Sequence, residues 1–194
     1  MPLKDTIIHE AQKLFSLNGF LNTGVKDIIE AAGTSKGGFY NHFSSKEDLF
    51  LEVLAVSQKI WRERVLKSID KIESPTEKII RILTNYQNLY LKDADNFPGG
   101  CIFITFSIEL DDTRPHLMHE VNKGFVGLKI MLRRLLEEGK ALGELRGDVN
   151  TNNATELIFS GMIGTSVLYG VDKSATSLER SIKSLIEYLD SLAE

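Results

Sequence analysis

Five side chains between Lys36 and Lys46 are long or aromatic enough, or suitably polar, to reach a nucleic acid and donate hydrogen bonds to it. They are Lys36, Tyr40, Asn41, His42 and Lys46. Lysine and tyrosine suit phosphate oxygens, whereas asparagine can also read base edges. A single surface lysine or histidine is usually a solvated group without a ligand. Because all five fall within one short segment, we interpret the set as a DNA-contacting surface.

Two adjacent glycines strengthen this interpretation. Gly37 and Gly38 fall at the start of the same predicted helix, where each lowers helix stability by about 0.8–1.0 kcal/mol relative to alanine. Close approach of another backbone would explain the pair, since missing side chains let phosphates or base edges come near the exposed helix amides. We expect the first turn of this helix to lie against DNA.

An amphipathic helix precedes this segment. Val25, Ile28, Ile29 and Ala32 recur at helical spacing and form one apolar face. Gly33 then supplies the left-handed residue that ends such a helix. The sequence therefore predicts a helix that stops at Gly33 and turns directly into the next one.

The next helix is expected from Ser35 to Phe43. Ser35 is a suitable N-cap, and Phe39 and Phe43 are four residues apart, so both can be buried on one face. The opposite face would be slim enough to enter a major groove about 12 Å wide. Two short helices joined in this way predict a helix-turn-helix motif.

Several groups of residues also follow one another in a fixed order within the first fifty positions. They are Ile8-x-x-Ala11-x-x-Leu14-Phe15-x-x-x-Gly19-Phe20, Thr23, Asp27-Ile28-Ile29, Ala32-Gly33-Thr34-Ser35-Lys36-Gly37, Tyr40-Asn41-His42-Phe43 and Ser45-Lys46-Glu47-Asp48-Leu49. This series resembles the N-terminal domain of the TetR/AcrR family of bacterial transcription regulators. Ile29 stands where alanine is usual, and Gly38 where threonine, serine or alanine is frequent. Neither departure removes a donor that the predicted DNA contacts need.

The resemblance implies two kinds of DNA contact. Positions that commonly touch phosphate in the family correspond to Thr23, Lys26, Tyr40 and Lys46. Positions that can approach bases correspond to Lys36, Gly37, Gly38, Asn41 and His42. We therefore expect Lys46→Ala to weaken binding to all DNA sequences. The slope of the logarithm of the binding constant against the logarithm of the salt concentration, called the salt slope, is expected to fall in magnitude by about one. Asn41→Ala is expected to change the preferred sequence.

Charge is spread in a way that limits non-specific binding. The 194 residues carry 23 basic and 27 acidic side chains, for a net charge of −4, which argues against a general polyanion binder. Residues 1–46 hold five lysines against four acids. Affinity for DNA must therefore rest on a few placed contacts and on their doubling in a dimer.

The composition also bears on location and on metal binding. One cysteine excludes an internal disulfide, and no cysteine–histidine cluster has zinc spacing. The N-terminal segment is amphipathic and carries acids, unlike a secretory signal, and no uninterrupted run approaches the ~18 apolar residues that span a bilayer. We expect a cytoplasmic protein, nucleoid-associated when DNA-bound, with no membrane partner, no cofactor and no metal.

We predict an all-α fold of about nine helices. An N-terminal three-helix helix-turn-helix DNA-binding domain is expected over residues 1–47, and a larger helical effector-binding and dimerisation domain over residues 48–194. The other predicted helices run from Ser44 or Ser45 towards Ile72, from Ser74-Pro75 to about Lys92, over Cys101–Leu110, from Pro115 to about Ala141, over 153–170 after a cap at Asn152 or Asn153, and over Ser177–Leu192. Cys101–Leu110 favours β structure by composition, but no second strand is available to pair with it.

The last two predicted helices carry more apolar surface than one side of a small bundle needs. Gly161 and Gly164 would allow another helix to approach closely, although ordinary core packing would explain them as well. The resemblance implies that these two helices pair with those of a second copy in a four-helix bundle. It therefore predicts a two-fold homodimer, which matches an inverted-repeat operator in double-stranded DNA.

The resemblance further implies that a small-molecule effector binds the larger domain and shifts the dimer away from its operator. Apolar and aromatic side chains that could line the cavity suggest a lipophilic or aromatic effector. These candidates are Trp61, Tyr86, Tyr90, Cys101, Phe103, Phe106, Phe125 and Met131. Any one of them could instead be a core residue, and Cys101 could be either structural or a sensor.

Two other classes of function stay open. His116 and His119 lie three residues apart with Glu120 adjacent, and Glu109, Asp111 and Asp112 lie upstream, so a metal-dependent helical enzyme can be imagined. Polar residues at the start of an amphipathic helix usually form its solvated face, and no catalytic motif accompanies them. A helical protein-interaction module is the other alternative, and the absence of a DNA footprint would favour it.

Overall fold

Nine α-helices account for most of residues 1–110 and 113–193, which are the residues that the computed structural model describes. They are α1 (Leu3–Asn18), α2 (Val25–Ala31), α3 (Lys36–Tyr40), α4 (Lys46–Val65), α5 (Pro75–Asn85), α6 (Ile102–Leu110), α7 (Pro115–Ala141), α8 (Thr151–Asp172) and α9 (Ala175–Asp190). A 3-10 turn covers Ile69–Lys71, and a π-helical turn covers Tyr86–Tyr90. No strand occurs within the described ranges, and the predicted all-α fold is confirmed.

The helices form two compact units. The N-terminal unit comprises residues 1–60 and 93–122, and the C-terminal unit comprises residues 61–92 and 123–194. The N-terminal unit thus includes most of α4, all of α6 and the start of α7 in addition to α1, α2 and α3. The separate proposal of a DNA-binding domain that ends at residue 47 stays a prediction.

Four phenylalanine rings form the centre of the N-terminal unit. Phe15, Phe20, Phe50 and Phe106 are all buried. The ring centroids are 5.5 Å apart for Phe15 and Phe20, 5.0 Å for Phe20 and Phe50, and 4.6 Å for Phe50 and Phe106. Because these rings come from α1, α4, α6 and the turn after α1, each of these elements is held by the same apolar cluster.

The segment around Cys101 is helical, as predicted. Ile102, Phe103, Ile104, Phe106 and Leu110 of α6 are buried. A helix satisfies its backbone groups internally, whereas a lone strand would leave them unpaired among these apolar side chains. This requirement overrides the β propensity of the individual residues.

The predicted end of α4 was wrong. The helix expected to run towards Ile72 ends at Val65, because Ser68 adopts a left-handed conformation with φ 64°. The Asn85 side-chain amide donates to the carbonyls of Val65 and Lys67, at 3.1 and 3.0 Å. This contact between distant residues holds the end of α4 and leaves no pattern in the local sequence.

The start of α8 was also predicted incorrectly. Asn150 is its N-cap, in place of Asn152 or Asn153, and the Asn150 Oδ1 atom accepts from the Asn153 amide at 3.1 Å. In α9, the Ser174 hydroxyl accepts from the Ser177 amide at 3.2 Å, so this helix begins two residues before the predicted start. Neighbouring residues that are all good caps compete, and the backbone conformation selects among them.

In the C-terminal unit, a distant carboxylate completes the cap of α5. The helix starts at Ser74-Pro75, as predicted; Ser74 is its N-cap and Pro75 lies in its first turn. The Glu144 Oε2 atom accepts from the Ser74 hydroxyl at 2.9 Å, from the Thr76 amide at 3.0 Å and from the Thr76 hydroxyl at 2.6 Å. Burial opposes ionisation of Glu144, but the hydrogen bonds from Thr76 and Ser74 outweigh it and lower its pKa.

The longest apolar helix of the C-terminal unit is α8. By length and composition alone it could cross a bilayer, which differs from the expectation that no segment qualifies. A third of its most apolar window is buried in the structure, and core helices of soluble proteins meet the same criterion. Part of the apolar surface of α8 packs on α9.

Candidate nucleic-acid interface

The turn between α2 and α3 has the predicted geometry. The left-handed Gly33, with φ 59°, follows α2, and the Ser35 hydroxyl accepts from the Gly38 amide at 3.1 Å to cap α3. Asp27 closes the N-terminus of α2, since its carboxylate accepts from the Gly24 amide at 2.8 Å. Gly33 and the Ser35 cap thus set the direction in which α3 leaves the turn, and the Asp27 contact fixes the opposite end of α2.

The opposite faces of α3 have opposite character. Phe39 is fully buried, and Phe43, just beyond the helix, is 1% exposed. Although α3 ends at Tyr40 instead of Phe43, the Phe43 amide still donates to the Phe39 carbonyl at 3.1 Å. The exposed residues on the other side are Lys36, Gly37, Tyr40, Asn41 and His42. Opposite the buried phenylalanines, α3 and the two residues that follow it therefore present four polar side chains to solvent.

The two glycines of α3 differ in their surroundings. A Cβ on Gly37 would have only the Ser35 hydroxyl nearby, at 3.8 Å, whereas a Cβ on Gly38 would overlap the Thr34 hydroxyl. Packing inside the protein therefore explains Gly38. It does not explain Gly37, whose missing side chain leaves room only for something outside the chain.

Lys46 is engaged within the protein. Its ammonium group donates to the carbonyls of Phe20 at 2.8 Å, Leu21 at 3.5 Å and Thr23 at 3.0 Å. The same group lies 4.3 Å from the centroid of the Phe20 ring. Burial lowers the pKa of Lys46, against a smaller raising effect of the Glu109 carboxylate. Lys46 thus holds the turn between α1 and α2.

Thr23 is also engaged within this turn. Its side chain is buried, and its hydroxyl donates to the Gly19 carbonyl at 2.6 Å. Lys26, in contrast, is exposed on α2. Of the predicted phosphate contacts, Lys26 and Tyr40 therefore have side chains at the surface, whereas those of Thr23 and Lys46 bind backbone carbonyls.

Glu109 has a role in this region that the sequence did not predict. The Phe20 amide donates to the Glu109 Oε2 atom at 2.6 Å. Glu109 belongs to α6, 89 positions further along the chain, and the sequence suggested it only as part of an imagined metal site. A glycine at position 19 was the available clue, because it indicates that something lies close to the backbone there.

The predicted effector-binding residues are divided between the two units. Cys101, Phe103 and Phe106 belong to the N-terminal unit, and Phe106 is a core residue that packs on Phe15 and Phe50. The five in the C-terminal unit are Trp61, Tyr86, Tyr90, Phe125 and Met131.

Two of the five lie together at the π-helical turn. The rings of Tyr86 and Tyr90 are stacked, with centroids 5.7 Å apart. The Tyr86 hydroxyl hydrogen-bonds with the Ser166 hydroxyl and donates to the Met162 carbonyl at 3.4 Å. This polar contact joins the π-helical turn to α8, within a buried environment.

An open groove of about 260 Å³ also lies on the C-terminal unit. None of the predicted effector-binding residues line it. Its walls are Val126, Lys129, Ile130, Arg133, Asn152, Thr155 and Glu156. Lys129 forms an ion pair with Glu156, so part of the charge in the groove is already neutralised.

The imagined metal site has a different arrangement. The His116 Nε2 atom lies 3.0 Å from one Glu47 oxygen, and Arg114 Nε lies 3.2 Å from the other, so these side chains form a surface ion-pair cluster. Asp111 and Asp112 lie outside the described residues. Within the described part of the chain, no three histidine, cysteine, aspartate or glutamate side chains form a group that could hold a metal.

Two family models match this chain. The model of bacterial regulatory proteins of the tetR family matches residues 7–53, which include α2 and α3. The model of the tetracyclin repressor-like C-terminal domain matches residues 75–185. The second match alone covers more than half of the chain, and the first contains the proposed DNA-contacting surface.

Individual relatives extend over nearly the whole chain. The HTH-type transcriptional regulator YxaF of Bacillus subtilis is 34% identical over 178 residues, 90% of this chain and 88% of its own. A TetR transcriptional regulator from Chloroflexus aurantiacus has a TM-score of 0.88 at 30% identity, with 96% and 93% of the two chains covered. The regulator FadR of Bacillus subtilis, solved in complex with stearoyl-CoA, has a TM-score of 0.78 at 23% identity, with 98% and 99% covered. The chain therefore belongs to the tetR family of DNA-binding bacterial transcription regulators.

Proposed function

We propose that this regulator is a repressor that binds an inverted-repeat operator as a homodimer and leaves it when a small effector binds. The observation that carries the proposal is that α3 has one buried face, a capped N-terminus and one exposed polar face. Its buried face is held by Phe39, its N-terminus is capped by Ser35, and its outer face exposes polar side chains beside Gly37. A helix fixed in this way can enter a major groove without first being ordered.

The contacts we assign to DNA fall into two groups. Lys36, Asn41 and His42 face the base edges, with Gly37 allowing close approach of the α3 backbone. Lys26 and Tyr40 contact phosphate from the ends of the motif. Both assignments rest on the exposure of these residues and on the chemistry of their donors.

In this proposal, three of the residues predicted to bind DNA instead hold the structure around the DNA-contacting surface. Thr23 and Lys46 hold the turn that precedes α2 through the backbone carbonyls that they bind. Gly38 leaves space for Thr34. These residues position the DNA-contacting surface and do not themselves bind DNA.

We assign the dimer interface to α8 and α9. Leu157, Leu168 and Val171 share one face of α8 and are 50%, 56% and 81% exposed. Gly164 lies on the same face with open space beside it. Apolar side chains aligned on one exposed helix face indicate a surface that another protein covers. A second copy would complete a four-helix bundle from two α8–α9 pairs.

We propose a lipophilic effector for the C-terminal unit. Stearoyl-CoA in the FadR structure shows that a regulator of this fold holds a long acyl chain. In this chain, Trp61, Tyr86, Tyr90, Phe125 and Met131 are carried forward as candidate contacts, whereas the packing of Phe106 argues against including it. We place the protein in the cytoplasm, because its operator would be chromosomal DNA.

Selection of bound sequences from random DNA duplexes tests the proposal. The purified protein is expected to enrich a palindrome at about 100 mM salt, and two-fold symmetry of that palindrome would report the dimer. The enriched duplex and a scrambled duplex of the same composition are then compared by fluorescence anisotropy over a range of salt concentrations. Enrichment of no sequence, or equal affinity for both duplexes, would contradict the proposal.

A further inference from the structure

The backbone N–H and C=O groups of Phe20, which belong to two adjacent peptide groups, are held by two other helices. Its amide donates to the Glu109 carboxylate of α6 at 2.6 Å, and its carbonyl accepts from the Lys46 ammonium group of α4 at 2.8 Å. Both hydrogen bonds involve a charged partner, which makes each about twice as strong as a neutral one. The backbone of Phe20 is therefore held on both sides of its Cα atom.

Glycine at position 19 makes this contact possible. Gly19 has φ 82°, and a Cβ on it would overlap the Glu109 carboxylate. The Phe20 ring is buried against Phe15 and Phe50, so the backbone of Phe20 cannot shift without disturbing the core. Glu109 thus reaches a backbone amide that the surrounding residues keep in one place.

The same turn leads into the proposed DNA-contacting surface. Lys46 also binds the carbonyls of Leu21 and Thr23, and α2 begins two residues after Thr23. A change in the position of the Phe20 backbone would therefore alter the start of α2. Because α3 is joined to α2 by a short turn, its placement against DNA would change with it.

A second contact ties the segment before α6 to α1. The Gly99 amide donates to the Ser16 hydroxyl at 2.9 Å, and a Cβ on Gly99 would overlap the Ser16 carbonyl. Both ends of the segment from Gly99 to Glu109 are thereby fixed on the last turn of α1 and the residues that follow it. The segment that contains α6 is therefore attached to α1 and to the turn after α1 at two defined points.

We infer that Glu109 is a positioning residue that couples α6 to the DNA-reading helices through the backbone of Phe20. The inference rests on the proposed function, because it needs an operator to act on. Removing the carboxylate releases the Phe20–Thr23 turn, so DNA binding must order this turn first. Operator affinity falls in consequence, although the aromatic core keeps the protein folded.

The test compares Glu109→Ala and Glu109→Gln with the wild-type protein. Hydrogen exchange at the Phe20 amide, followed by NMR, is expected to become at least about tenfold faster in Glu109→Ala, since a hydrogen bond to a charged group is lost. Affinity for the selected operator, corrected for the folded fraction, is expected to fall about tenfold. Glu109→Gln keeps an oxygen acceptor of similar reach and should restore part of both.

Glu10→Gln is the matched control. Glu10 is a partly buried glutamate of the same unit, and it pairs with Lys13 on its own helix, away from the backbone of Phe20. Its variant should match wild type in Phe20 exchange and in operator affinity. If Glu109→Ala does not fold, the same two measurements on Glu109→Gln decide the matter, with smaller changes in the same directions.

The outcomes separate the two proposals. Wild-type protein that enriches no duplex overturns the proposed function, and this inference with it. If wild type binds its operator, unchanged Phe20 exchange in the variants overturns the coupling contact. Faster exchange with unchanged operator affinity overturns the coupling as well, because Glu109 would then be only a structural residue.

Discussion

At the scale of single residues, the two glycines of α3 separate structural from functional causes. A side chain at Gly38 would displace Thr34, because a Cβ there would overlap the Thr34 hydroxyl. Gly37 has no such neighbour, so its cost to helix stability has no compensation inside the chain. DNA that approaches the backbone at Gly37 supplies a reason for it.

Replacing Gly37 with alanine should therefore have opposite effects on folding and on binding. We expect the free energy of unfolding to rise by about 0.5–1 kcal/mol, because alanine favours the helix, and operator affinity to fall about tenfold or more. Urea denaturation and anisotropy measure the two quantities. The control is Gly127→Ala in α7, where a Cβ also meets open space. Equal DNA affinities for the two variants would contradict the assigned role of Gly37.

Lys46 offers a second test at this scale, against Lys26. Lys46→Met removes the donor to three carbonyls and should lower the free energy of unfolding by about 1–3 kcal/mol. Lys26→Met, at an exposed site, should change it by less than about 0.5 kcal/mol. The salt slope of operator binding should fall by about one in Lys26→Met alone. If Lys46→Met lowered the salt slope of operator binding and left the free energy of unfolding unchanged, Lys46 would be a phosphate contact after all.

At the scale of secondary-structure elements, several helix ends depend on residues far away in the chain. Glu144 completes the cap of α5, and Asn85 binds the last carbonyls at the end of α4. These contacts supply partners to backbone groups that a helix leaves unpaired at its ends. They also explain why the helix boundaries were less predictable than the helices themselves.

The Glu144 contact predicts a dependence of stability on pH. Because its pKa is lowered in the folded protein, the ionised carboxylate stabilises the fold above the unfolded-state pKa of about 4.3. This stabilisation is lost as pH falls through the folded-state pKa. Glu144→Gln should therefore cost about 1 kcal/mol at pH 7, the size of a helix cap, and less at pH 3.

Urea denaturation at pH 7, 5, 4 and 3 measures this difference. Glu138→Gln is the control, since Glu138 makes only a surface pair with Arg134 four residues away. Its variant should stay within about 0.5 kcal/mol of wild type. A Glu144→Gln penalty that is the same at every pH would mean that the charge of the carboxylate is not involved.

At the scale of the whole molecule, the net charge of −4 limits what one copy can achieve on DNA. Few basic residues surround α3, so electrostatic attraction alone would give weak binding. Two copies joined through α8 and α9 would double the placed contacts and match an operator with two half-sites. The exposed apolar face of α8 would serve this purpose.

Placing a charge on that face should separate the copies. Leu168→Glu buries a carboxylate in the proposed interface, so we expect a monomer at micromolar concentrations and loss of operator binding. Sedimentation velocity and anisotropy measure the two. Leu142→Glu is the control, because Leu142 is 69% exposed and lies outside both helices. A Leu168→Glu protein that stays dimeric would show that the interface lies elsewhere.

The sequence by itself determined the helices, the turn at Gly33, the caps at Ser35 and Ser74, and the burial of Phe39 and Phe43. Each depends on interactions within about four residues along the chain, which appear as spacing and residue type. The tertiary structure alone decided that Thr23 and Lys46 bind carbonyls, that Glu109 reaches the Phe20 amide and that Asn85 ends α4. Those partners are brought together only when separate helices pack on a shared core. Their geometry depends on how the chain folds as a whole, and no local pattern records it.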